Sequence, residues 1–315
     1  MGAPAKPAVL VIVGPTASGK TSAALALADA ATARGQSIEI VNADSRQVYR
    51  GMSIGTAKPT PVEFARVPHH LIDVADPPDG FSLATFLALA RASIADIAAR
   101  GHVPVVVGGS GQYVWGLVEG WQAPEVAPQP EIRQRLESEA EASGGEALFA
   151  RLTSLDPAAA AFIDARNIRR VVRALEVIAL TGIPFSQQRT KGDPGFTTSL
   201  FGLTIPRAVL HERIAQRIEA MVDAGWVEEV RALLVSGSRP ELPAFSSAGY
   251  REIAEYLAGN LTLDEAKNAT RAATNRLARS QANWFGAADE RISWRDTPEQ
   301  LVEAALGESQ SRRQP

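Results

Sequence analysis

Gly14-Pro15-Thr16-Ala17-Ser18-Gly19-Lys20-Thr21 follows directly on the apolar run Val9-Leu10-Val11-Ile12-Val13 and leads into an Ala/Leu-rich stretch over residues 22–31. The octapeptide is G-x-x-x-x-G-K-[ST] in the setting its chemistry requires, with a buried strand before it and a helix after it. Gly14 and Gly19 let the backbone curl until successive N–H groups point at one anion, and the helix N-terminus adds its partial positive charge. Lys20 is placed to reach terminal phosphate oxygens, and the Thr21 hydroxyl is the candidate ligand for Mg²⁺. The loop from Gly14 to Thr21 therefore predicts binding of a di- or triphosphate, as in nucleotide-binding and ATP-binding P-loop proteins.

The 315 residues are 45% hydrophobic and 21% charged, the balance of a soluble globular protein. No apolar run approaches the ~18–20 residues of a membrane span, so no membrane partner is expected. The N-terminal apolar run leads straight into the phosphate loop, and no signal peptide is expected there. Zero cysteines exclude disulfides, thiolate metal sites and a cysteine nucleophile. Cytoplasm is the expected location. A net charge of −3 gives no chain-wide basic field, so any nucleic-acid contact must come from local patches.

Short β-branched or apolar segments at 9–13, 38–41, 103–107 and 200–205, with a weaker one at 291–294, alternate with helical stretches. That alternation predicts an α/β fold with a doubly wound parallel sheet of the P-loop NTPase type. Ligands of such sheets bind beyond the carboxyl ends of the strands. The phosphate loop, Asn42-Ala43-Asp44-Ser45 and Gly108-Gly109-Ser110-Gly111 all fall there. Residues 120–198 break the pattern: a Pro-studded linker at 123–130 precedes helical periodicity with no convincing strand until Leu200. They read as a helical insertion between a first core part (1–119) and a second (199–315). The second part is helical over about 207–224, 227–236, 248–257 and 263–285, and it ends in a polar, frayed tail after Gly307.

Asp44 has two readings. As a polar group at the mouth of a strand it is a helix N-cap; as a carboxylate facing the phosphate loop it is a general base for an incoming nucleophile. The strand at 103–107 ends in Gly-Gly-Ser-Gly, without the acid that many P-loop NTPases carry there. The site thus looks built for a diphosphate that leaves rather than a phosphoryl group that is transferred. Arg166, Arg169, Arg170 and Arg173 recur at i, i+3, i+4 and i+7, opposite Ile168, Val171, Leu175 and Ile178. On a helix they form one cationic stripe, either a solvated face or a contact for a phosphate backbone. Lys267, Arg271, Arg276 and Arg279 form a second candidate basic surface. His69-His70 lacks metal-ligand spacing and reads as structural. Arg213 and Arg217 stand at i, i+4 after a strand, where either is an exposed helical arginine, the commoner case, or folds back over a diphosphate.

Together the motifs resemble the tRNA isopentenyltransferase (tRNA dimethylallyltransferase) family. The matching segments are GPTASGKT (14–21), ADSRQVYRGMSIGTAKP (43–59), VPHHLIDVADP (67–77), VVVGGSGQY (105–113), RRVVRALEV (169–177), SAGYRE (247–252) and ARSQANWF (278–285). The resemblance implies transfer of a dimethylallyl group from dimethylallyl diphosphate to N6 of adenine 37 of tRNA. It also implies Mg²⁺ dependence and a helical insertion that clasps the anticodon stem-loop; a monomer is expected, although no sequence feature fixes the oligomeric state. By carry-over Asp44 takes the amine proton, Lys20 and Arg217 contact the diphosphate, and Ser110 stands where the family usually has threonine. Asp44, Ser45, Arg46 and Gln47, with Arg133, match tRNA-contacting positions. Asn275, Ser280 and Gly286 depart from basic residues of the family's terminal helix, and Ala165-Arg166-Asn167 replaces His-Pro-Asn. The competing readings are an adenylate isopentenyltransferase, which needs no anticodon clasp, a P-loop small-molecule kinase, and a non-catalytic RNA-binding protein, which leaves the phosphate loop without a purpose.

Overall fold

The computed structural model describes residues 6–122, 129–188 and 190–311. The chain divides into two compact units, one from residues 1–118 with 194–315, the other from 119–193.

The strands in chain order are β1 (Ala8–Val13), β2 (Ile38–Asn42), β3 (His69–His70), β4 (Val103–Val107), β5 (Trp121–Gln122), β6 (Thr190–Lys191), β7 (Thr197–Leu203) and β8 (Ile292–Arg295). The first unit holds a six-stranded sheet in the order β3-β2-β4-β1-β7-β8, and every neighbouring pair is parallel. Parallel strands need covered faces, which is why these segments read as unbroken apolar runs. Leu10, Ile12, Ile38, Ile40, Val105, Val107, Phe201 and Leu203 turn to one face and pack on the helices Lys20–Thr32 and Pro298–Ser311. That last helix runs past Gly307, so the expected fraying does not begin there: Leu301, Ala305 and Leu306 bury its apolar side.

In this sheet the sequence reading missed one strand and misplaced the start of another. β3 is only two residues long, too short for periodicity, and owes its place to pairing with Ile40 and Val41. β7 begins at Thr197, before the expected Leu200, because Thr197, Thr198 and Ser199 are polar yet pair with Ala8, Val9 and Leu10. A second core, built on Trp226, Tyr250, Phe245 and Met52, packs the helices Trp226–Val235 and Tyr250–Leu257 beneath the loop that follows Tyr49.

The second unit is helical, over Pro130–Ser143, Gly145–Leu155, Pro157–Ala160 and Ile168–Thr181, around Leu136, Leu148, Leu152, Val171 and Leu175. It is not strand-free, since β5 and β6 form a short antiparallel pair, Trp121 opposite Lys191 and Gln122 opposite Thr190. Most of the expected linker, residues 123–128, and Arg189 lie outside the described residues.

Candidate active site

Because all six strands of the core sheet run one way, the turns after β1, β2 and β4 share one edge. The turn after β1 is the phosphate loop. Gly14 (φ 148°) and Gly19 (φ 99°) supply the left-handed backbone, and Ala17 adopts φ 62°, which costs about 1–2 kcal/mol in a residue bearing a Cβ. A side chain at Gly14 would meet the Leu203 carbonyl oxygen at 3.1 Å. Ser18 Oγ is buried in the loop without a hydrogen-bond partner. Lys20 Nζ donates to the Pro15 carbonyl at 2.7 Å. Burial pulls the Lys20 ammonium down to about 8; Asp44 raises it in part and Arg217 lowers it further. Burial also lowers Arg217, and Asp44 opposes that shift.

After β2, Asn42 Oδ1 accepts from Asp44 N (3.1 Å), and Asp44 Oδ1 accepts from Arg46 N (2.8 Å). The residues beyond Asp44 form a turn rather than a helix, so Asp44 caps no helix. After β4, the backbone of Gly108 passes so close to Ala43 that a Cβ would lie 2.2 Å from its carbonyl oxygen. Ser110 Oγ accepts from Ser45 N (3.0 Å) and so stitches the second turn to the third.

These turns line two cavities. The first, about 470 Å³, is bordered by Lys20, Thr21, Lys58 and Arg213, among others. The second, about 350 Å³, is bordered by Ser45, Arg46, Ser110, Arg276 and the apolar Ile214, Ile218, Trp226 and Phe245. Thr16, Asp44, Thr56 and Arg217 line both, so the dividing wall carries one carboxylate and one guanidinium. Thr21 Oγ1 makes no hydrogen bond to protein among the described residues. Those residues hold no group of three or more His, Cys, Asp or Glu able to bind a metal ion by themselves.

Several expected contacts are engaged elsewhere. The Gln47 amide, expected at tRNA, donates to the Thr56 and Ala57 carbonyls at 3.1 and 2.9 Å. The arginine stripe is not one stripe. The helix begins at Ile168, with Asn167 as its cap, so Arg166 precedes it and pairs with Asp164 at 2.7 Å. Arg173 and Arg133 both bond Glu176 at 2.9 Å, and Glu176 is fully buried. Burial pushes the Glu176 carboxyl up, but Arg173, Arg133 and the Gln129 N–H outweigh it and hold it below its usual range. A buried carboxylate demands such partners. Arg169 and Arg170 remain exposed. On the helix Leu263–Trp284, Lys267 is paired with Glu219 and Asp264, whereas Arg276 lines the second cavity. His70 is structural as read, bonded to Glu39 at 2.6 Å. Its neighbour His69 lines the first cavity.

Sequence reasoning missed Gln281. It is buried on the helix Leu263–Trp284, and its Oε1 accepts from Thr16 N of the phosphate loop at 2.7 Å. A glutamine on an amphipathic face carries no signal of a partner 265 residues away.

The IPP transferase family profile matches residues 47–288, and that of isopentenyl transferase matches residues 7–75. Among relatives, a tRNA dimethylallyltransferase of Roseiflexus castenholzii is 53% identical over 88% of this chain and 89% of its own length. One of Chloroflexus aurantiacus is 49% identical over 88% and 92%. Among solved structures, a tRNA isopentenylpyrophosphate transferase of Bacillus halodurans is 37% identical, covers 98% of this chain and 99% of its own, and superposes with a TM-score of 0.69. A eukaryotic dimethylallyltransferase acting on tRNA shares the fold (TM-score 0.76, 22% identity, 98% of this chain and 80% of its own).

Proposed function

The chain belongs to the IPP transferase family, and from that premise we propose that it is a tRNA dimethylallyltransferase. It moves the dimethylallyl group of dimethylallyl diphosphate onto N6 of adenine 37, beside the tRNA anticodon, and releases diphosphate. One observation carries this reading: two cavities meet at Asp44 and Arg217, and one of them holds the phosphate loop. A phosphoryl transferase needs its acceptor beyond the terminal phosphate. A prenyl transferase needs the carbon end of a diphosphate ester to face a nucleophile across a short gap, and the shared wall offers that gap.

In this reading the diphosphate lies on the loop from Gly14 to Thr21, with Lys20 and Arg217 against its oxygens. The adenine enters the second cavity, among Trp226, Phe245 and Ile218. N6 attacks C1 while the C1–O bond breaks, and the electron pair leaves on the diphosphate. Positive charge grows on N6, whose proton passes to Asp44. Lys20 and Arg217 stabilise charge that appears only as the bond breaks, so their contribution rises in the transition state. Ser110 holds the Ser45 turn beside Asp44. The unengaged Thr21 hydroxyl and the unpartnered Ser18 hydroxyl suit a metal-bound diphosphate. Thr21 would hold Mg²⁺ together with diphosphate oxygens, and the ion would neutralise charge on the leaving group. Arg169 and Arg170 are exposed cations of the second unit, open to the anticodon stem-loop. We take it to act as a monomer and place it in the cytoplasm with its tRNA.

Purified protein given radiolabelled dimethylallyl diphosphate should label tRNA and leave AMP unlabelled. Label in AMP would make it an adenylate isopentenyltransferase. Turnover of ATP without label in either would make it a kinase.

A further inference from the structure

Three consecutive backbone N–H groups converge on one carboxylate. Glu229 Oε2 accepts from Ser53 N (2.8 Å) and Ile54 N (2.7 Å), while Oε1 accepts from Gly55 N (3.3 Å) and from the buried Tyr250 hydroxyl (2.6 Å). Glu229 lines neither cavity, but what it holds does. Thr56, Ala57 and Lys58 border the first, Gly55 and Thr56 the second, and Arg251 and Glu252, next to Tyr250, the second as well.

The loop cannot relax toward the helix that carries Glu229. A Cβ on Gly55 would lie 2.0 Å from Trp226 Nε1, and one on Gly249 would lie 2.0 Å from the same indole. The indole is thus wedged between two glycines, and the carboxylate keeps the loop from moving off it. Within the loop, Ala57 holds φ 50° and the Thr56 hydroxyl donates to the Met52 carbonyl at 2.5 Å. A carboxylate accepts only, and each oxygen here takes two donors. An amide in its place turns its NH₂ either toward Ser53 N and Ile54 N, or toward Gly55 N and the Tyr250 hydroxyl, which can rotate to accept, so at least one backbone N–H is left facing a donor.

We propose that Glu229 is a positioning residue for the transfer: it fixes Thr56 at the wall shared by the two cavities, and with it the distance across which the ester carbon and the acceptor amine meet. This rests on the transfer reading above. Misplacement by about 1 Å is enough to slow an oriented reaction by up to about a hundredfold. The phosphate loop and Arg169/Arg170 lie outside the clamp, so binding should change little.

The test compares Glu229→Gln, Glu229→Asp and Tyr250→Phe, each with kcat, both KM values and Tm, assayed well below the lowest Tm. Glu229→Gln should lose about ten- to a hundredfold in kcat with both KM values within about threefold of wild type. Glu229→Asp, which keeps the charge on a shorter stem, should recover part of that loss. Tyr250→Phe leaves the three N–H bonds and should stay within about threefold in kcat. Should the Gln variant not fold, the Asp variant carries the test, with a smaller loss in kcat expected. A Glu229→Gln protein with wild-type kcat and only a lower Tm would overturn the inference, because a plain structural staple behaves that way. Wild-type protein that fails to label tRNA would reject the function and the inference with it, whereas an unimpaired Glu229→Gln rejects the inference alone.

Discussion

Lys20 Nζ sits 2.7 Å from the Pro15 carbonyl, so the loop's cation is bonded to the loop's own backbone, in a site where burial brings its pKa to about 8. An incoming diphosphate must share the three donors of that ammonium with the carbonyl.

A pH dependence follows. Lys20 is charged below about 8 and neutral above it. Affinity for inorganic diphosphate should therefore fall as pH rises past 8, relative to Lys20→Arg, whose guanidinium stays charged. The arginine variant also controls for the titration of diphosphate itself. Lys20→Ala should lower turnover by roughly 10²–10³-fold with tRNA affinity little changed. Parallel pH curves for wild type and Lys20→Arg would remove the ammonium from the site.

Among the arginines of the second unit, the structure separates two kinds. Arg169→Glu with Arg170→Glu should weaken tRNA binding and reduce its salt slope by about one unit per lost phosphate contact, with diphosphate affinity unchanged. Arg133→Ala should instead lower the Tm, because it strips a partner from the buried Glu176 carboxylate. Filter binding at three salt concentrations, with calorimetry on the same proteins, reads both. Equal salt slopes for the double variant and wild type would make Arg169 and Arg170 an ordinary solvated face.

The phosphate loop was legible because its chemistry is local: eight contiguous residues set the turn, the charge and the helix start. The sheet was legible for the same reason, since β1, β2 and β4 are contiguous apolar runs. What was not legible depends on distant partners. Helical spacing placed Arg173 beside Arg169 and within reach of Glu176, but only the fold buries Glu176 and brings Arg133 to it. Gln47 sits in a polar motif that invites a ligand, yet its amide closes on Thr56 and Ala57. Gln281 and Glu229 each hold a loop more than 170 residues away, and no periodicity records that. Asp44 fell between the two kinds: its position at the mouth of β2 was readable, whereas the turn it closes on Arg46 was not.

At the opposite end of β2, Glu39 is buried and accepts from Arg100 (2.8 Å) and from the rings of His70 and His102 (2.6 Å each). Burial raises its carboxyl, but the Arg100, His70 and His102 hydrogen bonds prevail and hold it at about 2, against 4.5 for an unperturbed glutamate. A carboxylate depressed in the folded state contributes stability that is fully present above about 4.5 and lost as pH falls toward 2. Glu39→Gln should therefore be less stable than wild type at pH 6, and the gap should close between pH 4.5 and 2. Urea unfolding across that range measures it. A gap that does not change with pH would mean that Glu39 acts through packing alone.

Asp44 carries the sharpest prediction. An adenine amine is a poor nucleophile because its lone pair is delocalised into the ring, and its proton becomes acidic only as the bond to carbon forms. A carboxylate in reach orients the amine and takes that proton. Asp44 also has a structural task, since its Oδ1 closes the turn on Arg46 N at 2.8 Å. Asp44→Asn keeps an oxygen for that turn and removes the base, whereas Asp44→Ala removes both. The asparagine variant should keep its Tm and its affinities and lose roughly 10²–10⁴-fold in rate. The alanine variant should lose the rate and part of the Tm as well. Asp44 also raises the Lys20 ammonium, so its removal lowers Lys20 further, and the comparison belongs on a pH series run downward from 8, with rates read where they no longer change as the lysine becomes charged. If Asp44→Asn turned over like wild type under those conditions while Asp44→Ala melted early, the residue would be a turn-former and the proton would go elsewhere.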